Sequence, residues 1–228
     1  MDEALDEALA KKNLKALSRA LESKPSLTEL DSDGKSALHR AVTFKSLECA
    51  EALLAAGASL DVPDEDGNTP LYALLKSKTG SMSALEQTNA RWLIEKGASL
   101  DVPGEYGQTA LHHAADSAPL ALLELLLDGG AKSVKDEGGN TPLYRCLSTH
   151  FTDQKVWTLL LAHGCSVTDV NEAGETPLHE AVTDHNPAAV KFLLAKKADP
   201  AAKNGAGETP LQLAIRYKNQ KIAALFAS

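Results

Sequence analysis

Apolar positions along this chain recur as pairs of short helical runs separated by polar turns. In residues 31–63 a turn, Asp31-Ser-Asp-Gly34, precedes a run from Ser36 to Thr43, a second run from Ser46 to Ala56, and a stop at Gly57-Ala58. The helical spacing of the apolar residues predicts two helices, and Gly57 can take the left-handed conformation that closes the second. The same order returns along the chain. The second runs centre on Leu53-Leu54, Leu93-Ile94, Leu126-Leu127, Leu160-Leu161, Leu193-Leu194 and Leu225-Phe226, and the stops are Gly57, Gly97, Gly130 and Gly164. Pro119 and Pro187 fall where a second helix should begin, a position that tolerates a missing N–H. Ahead of Asp31, the spacing of Leu5, Leu9, Leu14, Leu17 and Leu21 predicts helices from Asp2 to Ala10 and from Asn13 to Ser23, with Pro25 as the stop.

One hexapeptide marks each turn and the helix after it. Gly67-Asn-Thr-Pro-Leu-Tyr72 has close variants beginning at Gly34, Gly107, Gly139, Gly174 and Gly207, at intervals of 33, 40, 32, 35 and 33 residues. A period in this range predicts stacked units rather than one globular core. The units are 31–63, 64–103, 104–135, 136–170, 171–203 and 204–228, read as one continuous domain. Residues 1–30 read as a capping helix pair with a polar outer face, and Arg216, Lys218, Asn219 and Lys221 supply a similar covering in the last unit.

A turn ending in Gly, then Thr-Pro-Leu-His, Ala on the first helix, Leu-Leu on the second and a closing Gly-Ala closely resemble the ankyrin repeat family. The resemblance covers 31–228, with a degenerate related unit at 1–30. It implies an all-α solenoid of stacked antiparallel helix pairs with projecting β-turn or hairpin fingers, recognising proteins on the concave face formed by fingers and first helices. It also implies that His39, His112 and His179 are tied to the motif Thr and to the backbone of the next unit, with Tyr72, Tyr144 and Gln212 retaining a polar tip. Two departures stand out. Lys197 occupies the closing-glycine position, where a left-handed Lys carries a strain of roughly 1–2 kcal/mol. The second unit is longer by a stretch within Lys76 to Ala84, and the fourth around Thr149 to Asp153; insertions of this kind map to loops.

Composition narrows the function. Aromatics are only 4% against 43% hydrophobic residues, so Leu and Ala must build the core. The net charge of -8 argues against nucleic-acid binding, which rests on Lys and Arg displacing counterions from phosphates. The charge is uneven: residues 185–228 hold seven Lys or Arg against Asp199 and Glu208. No apolar run is long enough for a membrane span, and Met1-Asp-Glu-Ala4 lacks the basic start of a signal peptide. The chain reads as soluble and monomeric on its own, its compartment open because a mature form that has lost its leader would read the same. Cys49, Cys146 and Cys165 suit neither a disulfide framework nor a zinc site.

Nothing in the sequence assembles a catalytic centre. The three motif histidines repeat at one position in separate layers, whereas a zinc site needs ligands that converge. Thr69, Thr109, Thr141, Thr176 and Thr209 read as helix-start residues, no Ser or Cys has an activating base beside it, and neither Gly138-Gly139 nor Gly129-Gly130 reads as a phosphate loop. Asp64-Glu65-Asp66 lacks the spacing of an EF-hand and reads as solvated turn residues. No enzyme activity, cofactor or metal is expected. The residues flanking each turn glycine and those ending each first helix are free to face a ligand: Asp33, Lys35 and Phe44; Glu65, Asp66 and Lys76; Glu105, Tyr106, Asp116 and Ser117; Glu137 and Ser148; Glu172, Glu175 and Asp184; Arg216 and Tyr217. Acidic residues dominate, so the expected partner is a protein with a basic surface, with the aromatics as anchors. A stoichiometric inhibitor or immunity protein covering a partner enzyme's active site is the alternative; the absence of a second domain or tail leans slightly toward it.

Overall fold

The computed structural model describes residues 1–44, 46–76, 82–147 and 152–227, and only the backbone of Ser117. Its helices are α1 (Glu3–Ala10), α2 (Leu14–Glu22), α3 (Ala37–Thr43), α4 (Leu47–Ala55), α5 (Pro70–Lys76), α6 (Ala84–Glu95), α7 (Ala110–Ser117), α8 (Leu120–Asp128), α9 (Pro142–Arg145), α10 (Gln154–Ala162), α11 (Pro177–Thr183), α12 (Pro187–Ala195), α13 (Pro210–Arg216) and α14 (Gln220–Ala223). No strand occurs among the described residues, and the fold class is all-α, as expected. The chain forms two compact units. One holds Met1–Glu105 with Ser117–Gly130, the other Tyr106–Asp116 with Ala131–Ser228.

The helices start one residue later than the apolar pattern predicts, because the residue taken as the start is the cap. Asp2 accepts from the N–H groups of Ala4 and Leu5, Asn13 from Ala16, Ser36 from His39 and Ser46 from Cys49. An extended cap residue satisfies backbone donors that a helix cannot satisfy itself, worth about 1 kcal/mol each. Pro187 is the first residue of α12, whereas Pro119 is itself the cap of α8. The turn after α2 passes through Lys24 at φ 52°, ahead of Pro25. The lengthened stretches fall largely on residues 77–81 and 148–151, outside the described residues.

The fingers are turns rather than hairpins. Gly34 donates to the Asp31 carbonyl while Asp31 donates to that of Lys35, and Asp31 Oδ1 accepts from the N–H groups of Asp33 and Lys35. Asp64, Asp136 and Asn204 repeat the arrangement. One backbone hydrogen bond links successive fingers within a unit: Glu65 to Gly34 in the first, and Glu137 to Tyr106, Glu172 to Gly138 and Gly205 to Ala173 in the second. Gly174 shows why the turn residue is glycine. Its φ is 72°, and a Cβ there would lie 2.8 Å from the Gly205 nitrogen.

Each layer is sealed by Leu residues from both helices. Leu38, Leu53, Leu71 and Leu93 in the first unit, and Leu111, Leu143, Leu160, Leu178 and Leu193 in the second, are fully buried. Burying such a side chain is worth roughly 1.5–3 kcal/mol. The first Leu of the second-helix pairs is buried while Leu54, Ile94, Leu161 and Leu194 stay half-buried, and in the Leu126-Leu127 pair both are buried. In the last repeat the pattern slips: Leu225 and Phe226 sit half-buried in a 3₁₀ turn, and Ile222 fills the core. In the second unit Trp157 is fully buried, donates its indole N–H to the Cys146 carbonyl at 2.8 Å, and packs 5.1 Å from the Phe192 ring. Lys197 is left-handed, at φ 65°.

The buried motif histidines staple each layer to the next. His39 Nε2 lies 3.0 Å from the Asn68 carbonyl and Nδ1 2.7 Å from Ser36 Oγ. His112 spans Thr109 and Asn140, and His179 spans Thr176 and Glu208. A carbonyl has no proton to give, so Nε2 donates and Nδ1 accepts the hydroxyl proton. Burial lowers the pKa of His39 and of His112, which favours the neutral ring. Tyr72 and Tyr144 make the same link with their hydroxyls, to the Glu105 carbonyl at 3.2 Å and the Glu175 carbonyl at 2.7 Å.

Candidate functional site

The finger and first-helix side of each unit carries the residues expected to meet a partner. In the first unit many are already engaged. Lys35 reaches across to Asp64, Nζ to Oδ2 2.6 Å, and Asp64 is buried, so it is a structural staple rather than a solvated turn residue. Burial opposes the charge of Asp64, but the Lys35 ammonium and the Asn68 N–H outweigh it and hold the carboxyl below its ordinary range. Asp33 accepts from Arg40, which also binds the buried carboxylate of Asp31 and lies 3.9 Å from Asp6 on α1. Burial likewise opposes the charge on Asp31, and its backbone donors with Arg40 reverse that effect. Phe44 is half-buried with the Arg40 guanidinium 5.5 Å above its ring. Lys76 pairs with Glu105 at 2.5 Å. Glu65 and Asp66 remain exposed, with the Glu65 chain lying over Gly34.

The second unit leaves more of its charge open. Glu137 and Glu172 are exposed at finger tips, and Tyr106 is the most exposed large hydrophobic residue described, 65%, on a backbone at φ 57°. A non-glycine residue held left-handed stores strain. At the ends of α11 and α13, Tyr217 packs edge-on to His185, beneath the Arg216 guanidinium, and Arg216 also reaches Glu208 at 3.2 Å. Ser148 lies outside the described residues, as does the side chain of Ser117.

Between α7, α9 and α11 lies a groove of about 380 Å³ lined by Gln108, Asp116, Asp136, Asn140, Tyr144, Arg145, Glu180 and Asp184. Arg145 sits 3.6 Å from Asp116, and its buried Nε has no hydrogen-bond partner among the described residues. Four carboxyl groups therefore face one guanidinium. Burial pushes Glu180 up to about 7, with Asp184 and Glu175 adding like charge. Burial also raises Asp184, partly offset by His185.

Of the expected residues this groove gathers Asp116 and Asp184, while Glu175 acts on it electrostatically. Arg145 and Glu180 escaped the sequence reading, and so did the Arg40 hub. A signal existed. All three directly follow the motif His or Tyr, a column reading Arg40, Ala73, His113, Arg145, Glu180 and Leu213. Asp31, Asp64 and Asp136 form a second overlooked column, whose role depends on closing a turn and not on facing solvent.

Among the described residues no grouping of three or more His, Cys, Asp or Glu is arranged to hold a metal, and no helix is long and apolar enough to cross a membrane. The three cysteines are buried and unpaired.

A family model described as ankyrin repeats (3 copies) matches residues 5–81, 81–171, 120–204 and 154–228. The E3 ubiquitin-protein ligase KEG of Arabidopsis thaliana is 33% identical over 71% of this chain, which spans 10% of that protein. The probable 26S proteasome regulatory subunit p28 of Saccharomyces cerevisiae is 29% identical over 78% of the chain and 77% of the relative. The crystal structure of the ankyrin repeat domain of Bcl-3, described as a unique member of the IκB protein family, superposes with a TM-score of 0.81 at 26% identity, covering all of this chain and 99% of that one. Such repeats typically form non-catalytic scaffolds for protein–protein interaction. With the turn glycines, the histidine staples and a family match running from residue 5 to the last residue, the chain belongs to the ankyrin repeat family.

Proposed function

We propose that this chain is a protein-recognition module without catalytic activity of its own, and that its second unit receives a Lys or Arg side chain of a partner protein in the groove between α7, α9 and α11. The observation that supports this reading is the excess of carboxyl groups there. Asp116, Asp136, Glu180 and Asp184 line the groove against Arg145 alone, and Glu180 is half-buried with no ion pair of its own among the described residues. An incoming cation favours the charged form of Glu180 that burial now opposes. The exposed Glu137 and Glu172 add negative potential at the adjoining fingers, which steers a basic surface toward the groove. Tyr106 supplies apolar area at the tip of one finger. The yeast relative is named as a regulatory subunit of the proteasome, a role within an assembly, which supports binding rather than catalysis.

The test uses the partner recovered with the full chain from its source. Reversing Glu137 and Glu172 to Lys is expected to slow association about tenfold at low salt, the difference shrinking as salt screens the charges. Equal association rates for the two proteins at low salt refute the steering, and unchanged affinity in Asp184→Asn and Glu180→Gln refutes the groove.

A further inference from the structure

The opposite side of the second unit carries the reverse charge. Helices α10, α12 and α14 are second helices of successive repeats, and their sequences contain Lys155, Lys191 and Lys221 but no Asp or Glu. The second helices of the first unit differ: Glu48 and Glu51 lie on α4, Glu86 and Glu95 on α6, Glu124 and Asp128 on α8. All three lysines are exposed, and none has an ion pair among the described residues. The nearest carboxylate in sequence, Asp153, caps α10 by accepting from the Lys155 N–H. In a chain of net charge -8, this is a surface of lysines that form no ion pair among the described residues.

A trough of about 320 Å³ runs between these helices. Pro187, Ala188 and Leu225 give it an apolar floor, and Gln154, Lys191 and Lys221 edge it. Two of the helices that flank it are joined by Trp157 of α10, which packs on Phe192 of α12. We propose that this trough docks an acidic, amphipathic segment of a second protein, its apolar side chains on the floor and its Asp or Glu side chains against Lys191 and Lys221.

Charge complementarity selects this occupant. A basic or neutral segment leaves the lysines unmatched, whereas an acidic one is repelled by the rest of the molecule and drawn to this face. The apolar floor calls for apolar side chains, which a free phosphate lacks. Single-stranded nucleic acid needs aromatic faces to stack on, and none lines the trough among the described residues. The cations are all Lys, compact point charges on apolar stems, rather than the Arg forks that grip phosphate through two bonds. With the groove of α7, α9 and α11 taking a basic group, the unit would hold two partners of opposite charge on separate surfaces.

The experiment titrates the ¹⁵N-labelled full chain with a synthetic peptide in which glutamates flank a Leu-Phe pair, with phosphatidylserine vesicles and an all-Glu peptide in parallel. Shifts confined to amides of α10, α12 and α14 are expected, together with about tenfold weaker binding in Lys191→Glu/Lys221→Glu and about tenfold weaker binding when the Leu-Phe pair becomes Ser-Ser. Both substituted residues are exposed, and an unchanged circular dichroism spectrum confirms that the variant is folded. Absence of shifts at millimolar peptide, shifts elsewhere, unchanged affinity in the double variant, equal binding of the all-Glu peptide, or binding of vesicles in place of the peptide each overturns the proposal.

Discussion

Replacing Glu180 by Gln is expected to stabilise the protein in mild alkali and to leave it almost unchanged in mild acid. The carboxyl titrates at about 7 in the folded chain against 4.5 for an ordinary Glu, because burial, then Asp184 and Glu175, oppose its charge. The folded state thus holds this proton more tightly than the unfolded state does. The resulting stability is complete below the unfolded value and is lost as pH rises through about 7. Each pH unit between the two values is worth about 1.4 kcal/mol, which bounds the loss at about 3 kcal/mol. Glu180 keeps some contact with water, so the expected gain for the amide is about 1–2 kcal/mol. Chemical denaturation of both proteins at about pH 4 and about pH 8.5 measures it, the variant's advantage appearing only at the higher pH. Repeat proteins need not unfold in one step, so transitions should be compared by more than one probe. A gain equal at both pH values, or a loss confined to the alkaline one, refutes the assignment.

Two further substitutions test the scaffold. Lys197→Gly removes a left-handed Lys at φ 65° and is expected to raise stability by about 1 kcal/mol, a rise in Tm of roughly 2–4 °C by thermal melting. Lys35→Met keeps the stem but strips the buried Asp64 of its ammonium partner, and about 1–3 kcal/mol should be lost at neutral pH. The Asp64 pKa is depressed in the folded chain, so the stability that the pair supplies is present above the ordinary carboxylate pKa and is lost as pH falls. Denaturant titrations should accordingly show the deficit of the variant begin to shrink below about pH 4 and vanish only once pH has fallen through the depressed folded value.

The sequence by itself determined the repeat, because the physics of each layer is local. A turn glycine must take positive φ, a closing glycine likewise, a Ser, Thr or Asp must cap the next helix, and a Leu must seal each layer; every one is a residue choice at fixed spacing. The histidine staples were legible for the same reason, recurring at one register. Ion pairing was not legible, since it joins residues far apart in the chain. Lys35 and Asp64 looked like free turn residues in adjacent repeats until stacking brought Nζ and Oδ2 to 2.6 Å. The groove was equally hidden: Asp116, Arg145 and Glu180 stand on three different helices, and only packing makes them neighbours. The burial that raises Glu180 arises only there, because the solvent a side chain keeps is decided by the layers on either side of it and not by its own repeat.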